Sequence, residues 1–336
     1  MTALEDYNAG LAKKKLRIML FFLFFLVVFM LAPFMGSHHI DIKQAIMDPD
    51  CSDARIFFTI RLPRVILAAI TGGGLAVCGM VFQALLKNGL ASPFTLGVAS
   101  GASLGAVIAM LFRLDASLWG FSFVPVMSFF GALLAIVLVY LIARKKTPMI
   151  STYSLLLAGV AINLIFSSLI LICQYMADFT QTNQMIRWLM GGLDILGFEE
   201  IIKAAPFLTA GLFIIFLSTS RLNLMAMGDD IAHSRGVNIL KTQRICFLAS
   251  SLVSGAVVSL SGPVGFVGLI IPHIVRMIIG PDHRLLFFGC LFSGAGFLIL
   301  CDIIARTAIS PREIPIGVIT ALVGGPFFIH LLRKEK

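Results

Sequence analysis

The chain has 336 residues, of which 59% are apolar and only 13% charged, with 26 Lys and Arg against 17 Asp and Glu and a formal net charge of +9. Its mean hydropathy of +0.99 lies far outside the range of a soluble domain. So few charged side chains cannot cover a water-exposed surface, which excludes soluble-enzyme readings. Apolar blocks of about 15 to 20 residues likewise exclude a membrane barrel of short alternating strands.

The first block, 18–35, follows Lys13, Lys14, Lys15 and Arg17. It is longer than the apolar part of a secretory signal, about 7 to 15 residues, and ends in Pro33, Phe34 and Met35 rather than in small residues, so it reads as a retained helix. Continuing along the chain, ten spans are expected near 16–35, 62–82, 93–112, 123–143, 152–172, 202–219, 245–261, 264–280, 285–303 and 314–332. Lys203 and Pro206 interrupt the start of the sixth. Only Gly262-Pro263 separates the seventh from the eighth, which predicts a broken or re-entrant element there.

An even number of spans puts both termini on one side. Of the 26 basic residues, 17 fall on that side and nine on the other, so both termini and the segment 221–244 are expected in the cytoplasm, with the protein multi-pass in a bacterial or archaeal cytoplasmic (inner) membrane. The basic excess is then an orientation signal, and a nucleic-acid partner is set aside. No hydrophilic stretch is long enough to fold as an attached soluble domain. The chain is expected to be one transmembrane domain, 1–336, with any energy-converting or ligand-capturing domain on another chain. Weak internal similarity links 74–79 to 255–262 and 101–105 to 293–296, as an inverted repeat of two five-helix halves would.

The chemical motifs are mostly negative. The six cysteines show no C-x-x-C spacing and read as packing residues. No G-x-x-x-x-G-K-[ST] loop is present to hold a nucleotide, and no H-E-x-x-H to hold a catalytic metal. No carboxylate sits at a span centre; Asp302 is placed at a helix end and Asp178 in an outer loop, which argues against an ion-coupled secondary transporter, the alternative reading. Gly97, Gly101 and Gly105, four apart, read as a packing seam, with a pore-lining role as the other possibility. The segment 224–237, with Asp229 and Asp230, is either a solvated connector or a short helix beneath the membrane that offers a face to a cytoplasmic partner. Arg61, Arg64 and Arg306 stand on the outer side against the positive-inside tendency. They either snorkel to lipid phosphates or present guanidinium forks to the carboxylates of an external protein.

Taken together, several segments resemble the FecCD family of permeases, the membrane subunits of binding-protein-dependent ABC importers for iron-siderophores, haem and cobalamin. They are Arg61-Leu62-Pro63-Arg64, Gln83-Ala84-Leu85-Leu86-Lys87-Asn88, Leu96-Gly97-Val98-Ala99-Ser100-Gly101, Leu156-Leu157-Ala158-Gly159-Val160, Trp188-Leu189-Met190-Gly191-Gly192, Gly265 to His273, and Glu313-Ile314-Pro315-Ile316-Gly317-Val318. They run in order from about 61 to 333. The resemblance implies an all-α membrane protein of the type II ABC importer permease fold, with ten helices in two five-helix halves and no cofactor or metal. Its implied partners are a second permease subunit, in a homodimer or a heterodimer, two ABC ATPase subunits, an extracytoplasmic substrate-binding protein and the surrounding lipid. It further implies a coupling helix seated in the ATPase, carried by Leu224, Met227, Gly228, Asp229, Asp230, Ala232, Arg235 and Gly236. Arg61, Arg64 and Arg306 would dock the binding protein, and Ser151 and Thr152 would form a cytoplasmic gate. Gly89 departs from the family's proline after Asn88, which removes a fixed φ from that turn.

Overall fold

In lipid every backbone N–H and C=O must be satisfied within its own segment, so long apolar runs close into helices. The computed structural model describes residues 3–36, 41, 47–48, 51–114, 117–118, 121–143, 152–309 and 312–334. Helix α1 (Ala3–Leu31) passes at Pro33 into a 3-10 turn, Ala32–Phe34. Helix α2 (Ser52–Arg55), capped by Cys51 Sγ accepting from the Ala54 N–H, continues through a π turn, Ile56–Arg61, into α3 (Leu62–Leu85). There follow α4 (Val98–Leu111), a two-residue antiparallel pair of β1 (Ser117–Leu118) and β2 (Phe121–Ser122), α5 (Phe123–Ala143), α6 (Thr152–Met176) and α7 (Phe179–Leu189). The second half holds α8 (Glu199–Ala226), α9 (Asp229–Ser234), α10 (Ile239–Ser261), α11 (Val267–Ile279), α12 (His283–Thr307) and α13 (Ile316–Lys334).

Among the described residues seven helical segments are long and apolar enough to cross a membrane: α1, the continuous α2–α3, α5, α6, α8, α10 and α12. Three shorter apolar helices, α4, α11 and α13, complete the ten expected spans. At about 1.5 Å per residue, α4 and α11 reach only about 20 Å, well short of a hydrocarbon core of about 30 Å. The turns that precede them supply the remaining depth.

Three boundaries differ from the sequence reading. The second span begins at Ser52, because the apolar π turn Ile56–Arg61 carries the helix on, so Arg61 and Arg64 lie inside a helix rather than at its mouth. The sixth span is continuous despite Pro206, and its start is steadied by Lys203, whose Nζ lies 2.8 Å from Glu199 and 3.8 Å from Glu200 one turn back. Helix α7 was not expected. Its signal was legible as Asp178-x-x-Gln181, a reciprocal capping box in which Asp178 Oδ1 accepts the Gln181 N–H at 2.8 Å and Gln181 Oε1 accepts the Asp178 N–H at 3.0 Å.

The most enclosed helix is α3, buried almost throughout from Pro63 to Gln83. It crosses α12 where Gly72 and Gly294 lie backbone to backbone; a Cβ on Gly294 would come within 2.5 Å of the Gly72 carbonyl. The glycine seam of α4 has a packing role: Gly101 faces Gly131, and Gly105 faces Met127, both on α5. Gly97, with φ +82°, is instead the N-cap of α4. The similarity of 101–105 to 293–296 therefore does not mark equivalent helices, since the first packs on α5 and the second on α3. All six cysteines are free, and Cys78, Cys246, Cys290 and Cys301 are buried.

Candidate functional site

At one end of the bundle α8 stops at Ala226 and the chain reverses at Gly228, whose φ of +127° and ψ of 149° suit a residue without Cβ. The short α9 closes in a Schellman arrangement, with the Val237 N–H donating to Ala232 O (3.0 Å) and Gly236 at φ +78°. Asn238 then caps α10 by accepting from the Lys241 N–H at 3.0 Å. Of the eight residues named for coupling, Met227, Asp230, Arg235 and Gly236 are exposed, and Ile231 joins them. Leu224 and Gly228 are half-buried, and Ala232 is fully buried against the neighbouring helices. Asp229 forms a surface pair with the turn after α3, its Oδ1 3.1 Å from Lys87 Nζ. That pair places the α3–α4 turn on the same face as the coupling segment.

Immediately behind this segment, α8 is fastened to the start of α12. Asn223 Nδ2 donates to Asp282 Oδ1 (2.7 Å), Asn223 Oδ1 accepts the His283 N–H (2.7 Å) and lies 2.8 Å from His283 Nδ1, and Arg284 Nε donates to Ser220 Oγ (3.0 Å). Asp282 also caps α12 through the Arg284 N–H at 2.9 Å. Nothing in the sequence reading selected these residues.

The three arginines do come together at the opposite end, but not on the surface. Arg61, Arg64 and Arg306 are 6%, 8% and 5% exposed. Arg64 donates from Nε to Asp302 Oδ1 (2.8 Å) and from Nη1 to Glu313 Oε2 (2.6 Å), and the exposed Asp194 lies 3.8 Å away. Arg306 Nε stands 3.0 Å from Asp302 Oδ2, and its Nη2 donates to Ala32 O at 3.3 Å. Arg61 Nη1 donates to Pro33 O at 3.0 Å. The expectation of surface-exposed guanidinium groups is thus not met: these charges are engaged with the chain's own carboxylates and with the carbonyls of the 3-10 turn. Asp302, expected at a helix end, lies inside α12 and is wholly buried. The sequence did offer one clue, since Asp302 and Arg306 are four apart on a helix, the spacing of an ion pair; the partners of Arg64 lie more than 100 residues away.

Also at this end lie two adjoining cavities of about 540 and 320 Å³. They share Met110, Val124 and Gln184, and their walls include Arg113, Asp178, Arg187 and Trp188. Arg113 Nη2 lies 2.5 Å from Asp178 Oδ2. The Gln181 N–H, followed by this guanidinium, holds the Asp178 carboxyl below the usual carboxylate range. Of the two residues expected to form a gate, Ser151 lies outside the described residues, and Thr152 is the first residue of α6.

Among the described residues, seven long apolar helices and three shorter ones, bundled with a capped helical segment exposed at one face, make up a membrane-spanning unit. Residues 22–334 match the FecCD transport family, and the chain belongs to that family. It is a multi-pass membrane permease of the ABC importer class. It is 36% identical over 326 residues to the hemin transport system permease HmuU of Yersinia pestis, covering 95% of this chain and 96% of that one. It is 38% identical over 286 residues to the cobalamin import permease BtuC of Halobacterium salinarum, covering 83% and 73% of the two chains. A solved ABC transporter described as metal-chelate type, in an inward-facing conformation, superimposes with a TM-score of 0.81 at 29% identity, over 96% of this chain and 99% of that one.

Proposed function

We propose that this chain imports a metal chelate, a ferric siderophore, haem or cobalamin, as a single permease domain working with a second copy of itself. ATP hydrolysis is on separate ATPase subunits, and an extracytoplasmic binding protein delivers the substrate. Both termini and the segment 221–244 face the cytoplasm, in keeping with the 17-to-9 division of basic residues. The observation that carries this reading is the exposed α9 segment, on which Met227 and Ile231 present apolar side chains at an aqueous face. Met227, Gly228, Asp230, Arg235 and Gly236 form its contact with the ATPase, while Leu224, Asp229 and Ala232 hold it in place.

The binding protein docks at the opposite end. There the burial of Arg61, Arg64 and Arg306 supports a positioning role: they fix Glu313 and the outer ends of α3 and α12, and the exposed Asp194 and Arg312 flank them. Ser151 and Thr152, the latter the first residue of α6, gate the cytoplasmic side.

Reconstitution in proteoliposomes with the ATPase subunits and the binding protein tests the reading. Uptake of a ferric siderophore, haem or cobalamin should require ATP and both partners. Uptake by this chain alone, driven by an ion gradient, would establish a secondary transporter instead.

A further inference from the structure

Two irregular turns interrupt the bundle, and they occupy equivalent places at its two ends. Residues 92–97 precede α4 and residues 262–266 precede α11; each turn contains a proline, Pro93 or Pro263, and ends in left-handed backbone, Gly97 at φ +82° and Phe266 at φ +66°. The Lys87–Asp229 pair puts the first turn on the coupling face. The second follows the end of α10, whose start adjoins the coupling segment, so it lies on the other face. Helices α4 and α11 thus enter the bundle from opposite sides.

One helix seats on each turn through a glycine. The two seats share the pattern Gly-Val-x-x-x-Leu: Gly159-Val160 to Leu164 on α6, and Gly317-Val318 to Leu322 on α13. A Cβ on Gly159 would run into the Thr95 carbonyl and lie 3.0 Å from Leu96 Cα. One on Gly317 would run into the Met190 carbonyl and lie 3.2 Å from the Pro263 carbonyl. Both contacts are backbone on backbone. A contact of this kind lacks the interlocked side-chain ridges that otherwise resist rotation between packed helices. The face of each helix turned away from its seat is open, with Leu157, Leu164, Leu171, Leu322 and Ile329 exposed, while Leu155, Ile162, Phe166 and Ile170 on α6 and Ile316 and Ile319 on α13 are buried against the bundle.

The two seats differ in their polar ties. On α6, Asn163 Nδ2 donates to Phe94 O (3.1 Å) and Asn163 Oδ1 accepts from Ser100 Oγ (2.6 Å), so one amide pins the helix to both the turn and α4. On α13 the hydroxyl of the buried Thr320 is engaged within its own helix, donating to Gly317 O at 3.1 Å.

We propose that these seats are the two pivots of transport: α6 turns on Gly159 at the coupling face, held by Asn163 until released, and α13 turns on Gly317 at the opposite face. Each membrane face is then opened by its own helix. Asn163 and Gly317 are positioning residues for the passage of substrate, and the proposal rests on the importer reading above.

The test uses the full chain in lipid nanodiscs with Cys51 and Cys173 replaced by Ser, and a nitroxide attached through L157C on α6 or L322C on α13. Asn163→Ala and, separately, Ser100→Ala should raise the mobile spectral component at 157 by about threefold, the scale of one lost hydrogen bond, and leave 322 unchanged. Gly317→Ala should alter 322 and leave 157 unchanged. In the assembled transporter, Asn163→Ala should lower substrate moved per ATP hydrolysed without lowering ATPase activity. Unchanged spectra at 157 in both α6-seat variants, or equal shifts at both reporters in any variant, would overturn the proposal. The spectral arm needs only the purified chain, so it decides the pivots even if the unaltered assembly proves not to import.

Discussion

Arg64 Nε donates to Asp302 Oδ1 at 2.8 Å across 238 residues of chain, and Asp302 is at the same time 3.0 Å from Arg306 Nε. One wholly buried carboxylate therefore balances two buried guanidinium groups. Removing it strands Arg306 and leaves Arg64 only its more exposed partners Glu313 and Asp194; breaking a buried pair from one side costs about 3–5 kcal/mol. Asp302→Ala should lower the thermal melting point of the purified chain severely. Glu313→Ala removes a half-exposed partner and should cost about 1 kcal/mol or less. Equal melting of the two variants would show that the buried carboxylate carries no special weight.

The same geometry changes how docking can be measured. Arg64→Glu would set a third carboxylate against Asp302 and Glu313, so lost uptake in that variant would report misfolding. Charge reversal at Asp194 or Arg312, both exposed, is the informative substitution. It should change the rate of binding-protein association, and the effect should shrink as salt rises.

On the coupling segment, exposure separates contact from support. Met227→Asp and Ile231→Asp should abolish co-purification of the ATPase subunits while leaving the melting point of the chain within about 0.5 kcal/mol of the parent's stability. Ala232→Leu should act in the reverse order: with no free space around Ala232, overpacking should destabilise the chain by about 1–3 kcal/mol before any effect on association. Wild-type ATPase retention in both aspartate variants would remove α9 from the interface.

The Asn223 clamp satisfies Asp282 and the His283 backbone at once, so Asn223→Ala leaves the N–H of the buried His283 unpaired and should cost about 1–3 kcal/mol. Because the clamp sits between α8 and α12, the same variant should also hydrolyse more ATP per substrate molecule imported. A melting loss with an unchanged ratio would confine the clamp to stability.

Acid should loosen the outer end through Asp178. Its folded-state pKa is depressed, first by the Gln181 N–H and then by Arg113, so its contribution is present above the ordinary carboxylate pKa of about 3.9 and is lost as pH falls through the lowered value. The protection of α7 amides, taken relative to the intrinsic exchange rate at each pH, should therefore fall as the pH is lowered below about 4, and Asp178→Asn should remove that acid-dependent step. A step that persists in Asp178→Asn would assign it to another group.

Much of this architecture is legible without coordinates, for a physical reason. Ten apolar runs must become ten helices when lipid forbids any other spanning backbone, and the Gly262-Pro263 break reads directly as the broken element before α11. Charge partners are harder. Arg64 and Asp302 are neighbours only because Gly72 and Gly294 let α3 and α12 cross closely, a tertiary event with no local signature. Inward or outward direction is equally hidden in a short segment: nothing within Asp229–Ser234 shows that Ala232 points in and Ile231 out until α8 and α10 flank it. The capping box at Asp178 and Gln181, by contrast, has a local signature, an acid and an amide three residues apart ahead of an amphipathic run.

Helix α12 carries the Asn223 clamp at its first turn and the Asp302–Arg306 cluster near its last, some 20 residues or about 30 Å apart. A helix whose backbone bonds run along its axis is stiff in compression, so it behaves as a push-rod between the two aqueous faces. Its ends cannot move independently along the axis. An axial displacement of its first turn is therefore carried toward Arg64, and an axial load at Asp302 is carried back toward Asn223.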